Sequence, residues 1–408
     1  MDFELPKEDD PRRVEIRAWF AARPRPTGRQ LAEAGYATPH WPKPWGLGAD
    51  AETQLIVDEE MKRANVTPPM NPVAINNCAQ SLLTHGTDAQ RERFLLPALA
   101  CEELWCMLFS EPAGGSDLGS LRTTARREGD HYVVSGQKIW TSLAHKANVG
   151  VLVARTDPAA TKHAGLSQFL VDMDTPGITV RPIIDLTGHE NEYNEVFFED
   201  VIVPADRLLG QEGEGWALSM RQLQTERVAL SKPGAIWGSG PSARELIAGL
   251  DSIGALADPL VRDEAAQIYI EGEILRLLAY RSLSDRMNAK TPGPEGAIRK
   301  MLAAPHGQRI VDLAKRAQGP SGMLESQAAF PQTTKGRGMF DDWDYAFWFS
   351  PAVTLGVGTQ EILKNVVGER VLGLPREHDP SARGPWNESQ GGGGALAREP
   401  VKRVETAS

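Results

Sequence analysis

Cys78, Cys101 and Cys106 are the only cysteines in a chain of 408 residues. So small and odd a number builds no disulfide framework. None of the three stands at metal-ligand spacing, so they read as free thiols in a reducing compartment. Basic charge is also scarce. Lys and Arg number 44 against 54 Asp and Glu, a net charge of −10, which argues against a nucleic-acid partner but leaves room for a local basic site facing a phosphorylated ligand. No apolar run reaches the ~18 residues that a membrane-spanning helix needs. The stretch from Met1 to Asp10 is acidic and lacks the apolar core of a secretory signal. Together these absences point to the cytoplasm. What is present is ordinary: 41% hydrophobic and 24% charged residues, as in globular proteins, over a length that implies two or three packed units.

The order of those units follows from pattern. Residues 1–105 read as a helical domain. Asp10 before Pro11 is a helix start, with Val14, Trp19 and Phe20 on one face. The proline-rich run Ala37–Gly46 is a loop, Asp50–Ala64 is helical, and Thr87 with Gln90 forms a capping box. Residues 106–215 change character. Short β-branched segments at 122–127, 131–134, 149–154, 167–171, 178–181 and 195–198 are separated by turns at Glu128–Asp130 and Asp174–Gly177, predicting a small antiparallel sheet or barrel. Residues 216–378 return to helix, with long periodic runs at 260–287, 298–318 and 359–373. Residues 379–408, with Gly391–Gly394 in a row, read as a flexible tail. The fold class is therefore α+β, mostly α: helices, then a small antiparallel β-domain, then helices.

Three motifs carry the chemistry. Leu104–Leu118 contains Phe-Ser-Glu-Pro-Ala-Gly-Gly-Ser-Asp. Ser135–Ser142 reads Ser-Gly-Gln-Lys-Ile-Trp-Thr-Ser. Gly358–Asn365 is followed by Glu369–Arg376. In this order they resemble the acyl-CoA dehydrogenase flavoprotein family. The resemblance implies a middle β-domain between an N-terminal helical domain and a C-terminal four-helix bundle. It also implies FAD as cofactor and α,β-dehydrogenation of an acyl-CoA to a trans-2-enoyl-CoA. A base takes a proton from Cα, and hydride leaves Cβ for flavin N5. Met107, Phe109, Ser110, Gly115, Ser116, Trp140, Thr141, Ser142 and Thr359 fall at cofactor positions, and Ser116 also faces the substrate.

The base is displaced. Where many members have Tyr-Glu-Gly-Thr, this chain has Gly356-Val-Gly-Thr359, and Val357 cannot abstract a proton. Other members carry the base in a Glu-Arg pair on an earlier helix. Glu226 and Arg227 match that pair, Glu226 as base and Arg227 toward the substrate or the base. Two further departures concern the part of the FAD site that neighbouring subunits share. No Arg-x-x-Phe-Gly lies between 235 and 290, and Arg316 replaces a customary glutamine. The resemblance implies an electron-transfer flavoprotein as acceptor. It also implies either a homo-oligomer, dimer or tetramer, or a heteromer with a second family chain. A non-catalytic or site-sharing partner subunit is the alternative reading, and an oxygen-using flavoenzyme a third.

Overall fold

A computed structural model describes residues 6–67, 71–188, 190, 192–229, 234–287, 294–324, 339–376 and 384–388. The N-terminal domain comprises α1 (Pro11–Ala21), α2 (Gly28–Glu33), α3 (Ala51–Arg63), a π-helical turn (Val73–Cys78), α4 (Ala79–His85) and α5 (Asp88–Leu99). The predicted caps form. Asp10 accepts from the Arg12 amide, and Thr87 and Gln90 close a reciprocal box. The expected face of α1 is borne out in part: Phe20 is buried and Trp19 packs against the core, but Val14 is exposed, and Arg13 and Ile16 face inward. An arginine can face inward here because Glu59 and Glu60 of α3 accept from its guanidinium, at 2.6 and 2.9 Å.

The middle domain holds β1 (Trp105–Leu108), β2 (Thr124–Glu128), β3 (His131–Lys138), β4 (Val149–Arg155), β5 (Leu166–Asp172), β6 (Ile178–Pro182), β7 (Asn194–Pro204) and β8 (Leu208–Leu209). The strand order is β6-β7-β3-β2-β4-β5-β8, with β1 beside β4. The β2–β3 hairpin turns at the predicted residues. The sheet is not purely antiparallel, because β1 and β2 run parallel to β4. A four-residue strand such as β1 shows too little alternation for its direction to be read. Gly136 marks a bulge in β3 at φ 153°. A Cβ there would come within 2.7 Å of the Thr123 backbone.

Every residue of β4 is buried because the strand divides its side chains between two cores. Val149, Val151 and Val153 face Leu82, Phe94 and Leu95 of the N-terminal helices. Leu152 and Ala154 face Tyr132, Val134 and Phe169 inside the sheet.

The C-terminal unit contains α6 (Gly215–Ala229), α7 (Ala243–Ser252), α8 (Pro259–Met287), α9 (Glu295–Ala317), α10 (Trp343–Phe349), α11 (Pro351–Leu355) and α12 (Gln360–Arg370). Helices α7 to α11 gather on a core that includes Leu246, Ile268, Ile310, Leu313 and Phe349, whereas α6 places Leu218 in the core shared by the N-terminal helices and the sheet. Gly391–Gly394, part of the expected tail, lies outside the described residues. Residues 384–388 are ordered against the middle domain, contrary to that expectation. The Trp386 amide donates to Ala160 O and the Asn387 amide to Pro158 O. The Trp386 ring, 2% exposed, lies 3.9 Å from the Arg155 guanidinium. Arg155 in turn donates to the Gly119 and Leu121 carbonyls. An aromatic ring covering a buried cation is the physical reason this segment docks. Trp386→Ala is expected to cost about 3 kcal/mol of stability. A denaturant titration checks it, and an unchanged midpoint would show that the docking contributes nothing.

Candidate active site

Helix α6 starts on a glycine for a steric reason. A Cβ on Gly215 would fall 2.6 Å from the Ser167 carbonyl carbon, so only glycine seats the helix on β5. Gln222, two turns on, exchanges side-chain hydrogen bonds of 2.8 and 2.9 Å with Gln168 of β5. Residue 226 is one further turn along the same face. Glu226 therefore points towards the π-turn that holds Asn77, and towards Lys300 of α9. Some of its surface stays open to solvent. Burial nevertheless pushes the carboxyl up to about 7, and Asn77, Arg227 and Lys300 pull it only part of the way back.

The cations around it are themselves constrained. Lys300 is fully buried, donates to Val353 O at 2.5 Å, and is pushed down by burial to about 8. Arg227 donates through Nε to Val357 O at 3.3 Å, and burial lowers its pKa too. The loop in which Val357 replaces the family's glutamate thus rests directly on Arg227. Val357 has φ +62°, a conformation that β-branched residues rarely adopt. Thr359 caps α12 by accepting from the Ile362 amide.

The two middle-domain motifs meet at one end of the sheet. Ser110 O accepts from the Ile139 amide. Met107 accepts from Asn77 Nδ2 at 3.3 Å, which ties the 107–116 segment to the π-turn. Trp140 is not in a strand. It follows β3 at φ +60°, 57% exposed, with its ring edge-on to Tyr193 at 6.0 Å. Thr141 is buried, and its Oγ1 has no partner. Ser142 lies beside Glu192, whose carboxyl is raised by burial. Gly115 and Ser116 are exposed, and a Cβ on Gly115 would touch nothing within 4 Å. An open aromatic face, an orphaned hydroxyl and uncrowded backbone fit the ring system of FAD. Phe109 contributes differently: its ring is in the core and its carbonyl accepts from Lys138. Arg316 stands apart from the site residues. At the end of α9 it pairs with Glu264 at 2.8 Å and Asp312 at 2.7 Å.

Sequence reasoning passed over several residues. Lys138, fully buried, donates to Phe109 O and to Glu111 Oε1, both at 2.9 Å. Glu111 also accepts from the Arg122 and Thr123 amides, which fastens the whole 109–123 segment to β3. The signal was available: Lys138 shares the inward parity of Tyr132 and Val134. Lys300 likewise sits on the apolar face of α9, with Ala297 and Ala304. Asn77 gave no signal, because a π-turn has no sequence signature that marks it.

Comparison with known proteins agrees with this architecture. Residues 6–103, 106–201 and 213–372 match the family descriptions Acyl-CoA dehydrogenase N-terminal, middle and C-terminal domain. Acyl-CoA dehydrogenase FadE34 of Mycobacterium tuberculosis is 38% identical over 346 residues, 85% of this chain, and the chain spans 46% of that relative's length. Acyl-CoA dehydrogenase IpdE1 of Mycolicibacterium smegmatis is 36% identical over 89% of both chains. The solved Tcur3481-Tcur3483 steroid ACAD superposes with a TM-score of 0.71 at 27% identity, over 90% of this chain and 97% of that one. The chain belongs to the acyl-CoA dehydrogenase family of flavoprotein oxidoreductases. None of its described helices is long and apolar enough to cross a membrane.

Proposed function

We propose that this chain catalyses α,β-dehydrogenation of an acyl-CoA thioester, with Glu226 as the base that removes the Cα proton, giving a trans-2-enoyl-CoA. The observation that carries the reading is the Glu226 carboxyl, set at the π-turn beside Arg227 and the buried Lys300 and raised by burial to about 7. A carboxylate at its usual pKa is a weak base; one raised toward the working pH is a better match for a thioester Cα–H. FAD, when bound, supplies the acceptor for the Cβ hydride. Trp140, Thr141 and Ser142 are placed to hold its ring, and Gly115 and Ser116 to let it approach. Arg227 fixes the Val357 loop beside the base. An electron-transfer flavoprotein fits as the next acceptor, and the cytoplasm as the location. Likeness to a steroid ACAD favours a bulky, steroid-derived acyl group.

A site-sharing assembly is the second reading, either a homo-oligomer or a heteromer with another family chain. Ile270, Ile274 and Leu277 form an exposed apolar stripe along α8, which a partner would cover. Arg316, engaged with Glu264 and Asp312, is not poised toward the site residues of its own chain.

The pH dependence tests the assignment of the base. Glu226 abstracts a proton only when ionised. Anaerobic flavin bleaching by acyl-CoA should therefore rise with pH through about 7 and level off above it. A rate that is flat from pH 5.5 to 8.5 would remove Glu226 from the role.

A further inference from the structure

From Gly136 to Lys138, β3 pairs with β7 in one register, and Lys138 stands opposite Val196. Two residues on, that register would set Trp140 opposite Asn194. Thr141 takes the place instead: its amide donates to Asn194 O at 3.1 Å. One residue is therefore extra on the β3 side, and it is Trp140, at φ +60°. An extra residue of this kind is left out of the ladder. The Trp140 ring is accordingly exposed while its neighbour Thr141 is buried.

A one-residue slip needs something to hold it, because the regular register sends the same side chains to the opposite face. The Asn194 side chain supplies the hold. It is fully buried, and its Nδ2 donates to Thr141 O at 3.0 Å. Both backbone groups of Thr141 are thus engaged by one residue. Nδ2 also reaches Glu192 O at 3.4 Å, and that carbonyl accepts from the Leu143 amide at 2.8 Å. Between the two, Tyr193 meets the Trp140 ring edge-on. Asn194 Oδ1 has no partner among the described residues, so the amide acts here through its donor. Turned over, it would face two carbonyl oxygens with a third.

We propose that Asn194 locks the slipped register that expels Trp140, and so positions Trp140 and Ser142 for the flavin ring. The inference rests on the reading that the 140–142 turn meets FAD. Asn194 acts through Thr141 and is a positioning residue. Without its donor, the competing arrangement is the regular pairing, in which Trp140 returns to the ladder and leaves the cofactor.

Asn194→Leu and the isosteric Asn194→Asp test this in the full-length, flavin-loaded protein. The readout is release of FAD on dilution, followed by the fluorescence of the freed flavin. Asn194→Leu should release FAD about tenfold faster, the effect of one buried hydrogen bond. In a Trp140→Ala background the same substitution should add little, since both changes remove one contact. Asn194→Asp gives a signature that lost packing cannot. Burial raises its carboxyl, and the protonated acid donates to Thr141 O where the carboxylate cannot. Relative to wild type, its release should be near normal at about pH 5 and faster toward about pH 8, with no such trend in Asn194→Leu. An unchanged release rate in Asn194→Leu, an equal acceleration with and without Trp140, or an aspartate variant indifferent to pH would overturn the role of Asn194. A colourless wild type, or Trp140→Ala with unaltered flavin spectrum and release, would instead remove the flavin reading of the turn, and the positioning role with it. If the leucine variant does not fold, the aspartate variant decides alone.

Discussion

Glu226→Gln should bleach at least about 10³-fold more slowly than wild type with any acyl-CoA that reduces the flavin, while retaining the cofactor. The substitution keeps the shape of the side chain and removes only the ability to take a proton. Flavin content and thermal stability measured beside the rate separate loss of chemistry from loss of structure. Among the described residues near the 107–116 segment, no carboxylate other than Glu226 is raised to about 7. Glu192 is raised as well, but it lies beside Ser142 and Lys146 near the Trp140 turn. A variant that bleaches at the wild-type rate would move the search there. A colourless, inert wild type would favour the site-sharing subunit and direct the work to a second chain.

Lys138→Met should destabilise the middle domain by about 3–5 kcal/mol at neutral pH, because it strands a buried carboxylate. Glu111 would keep the Arg122 and Thr123 amides and lose its cation. In the native protein, burial pushes the Glu111 carboxyl up, while Lys138 and the amide donors override it and hold its pKa below the ordinary value. A depressed folded pKa stabilises above the unfolded value and loses that contribution as pH falls. The deficit of Lys138→Met is thus largest near pH 7 and narrows toward pH 5, as the stranded carboxyl takes a proton. Urea titrations at the two pH values check both size and trend. Equal deficits would mean that lost packing, and not charge, sets the cost. Lys138→Met with Glu111→Leu should recover much of the loss, since neither charge is then left alone.

How much of this was readable depended on how local the signal was. The capping box at Thr87, the hairpin at Gly129 and strand β4 are written in a few adjacent residues, and each formed as expected. The inward Arg13 of α1 was missed because a buried arginine has the same composition as an exposed one. Only its distant partners, Glu59 and Glu60, distinguish the two. Trp140 was singled out by its motif, but its backbone was not. Its positive φ belongs to the turn imposed where β3 ends, and nothing in the six letters around it specifies that angle. Glu226 was found through the pair it forms with Arg227, whereas Asn77 and Lys300 reach it from elements 149 and 74 residues away along the chain. Long-range convergence of that kind has no periodicity to betray it.

The two-sided strand β4 sets how the chain can come apart. Its valines belong to the helical domain and its intervening leucine to the sheet, so a cut near residue 105 would bare apolar surface on both fragments. The first two sequence domains are in this sense one melting unit. The bundle has a core of its own around Leu246, Ile310 and Phe349 and forms a second. Calorimetry of the whole chain would then resolve two transitions rather than three, and a fragment ending before β1 would precipitate.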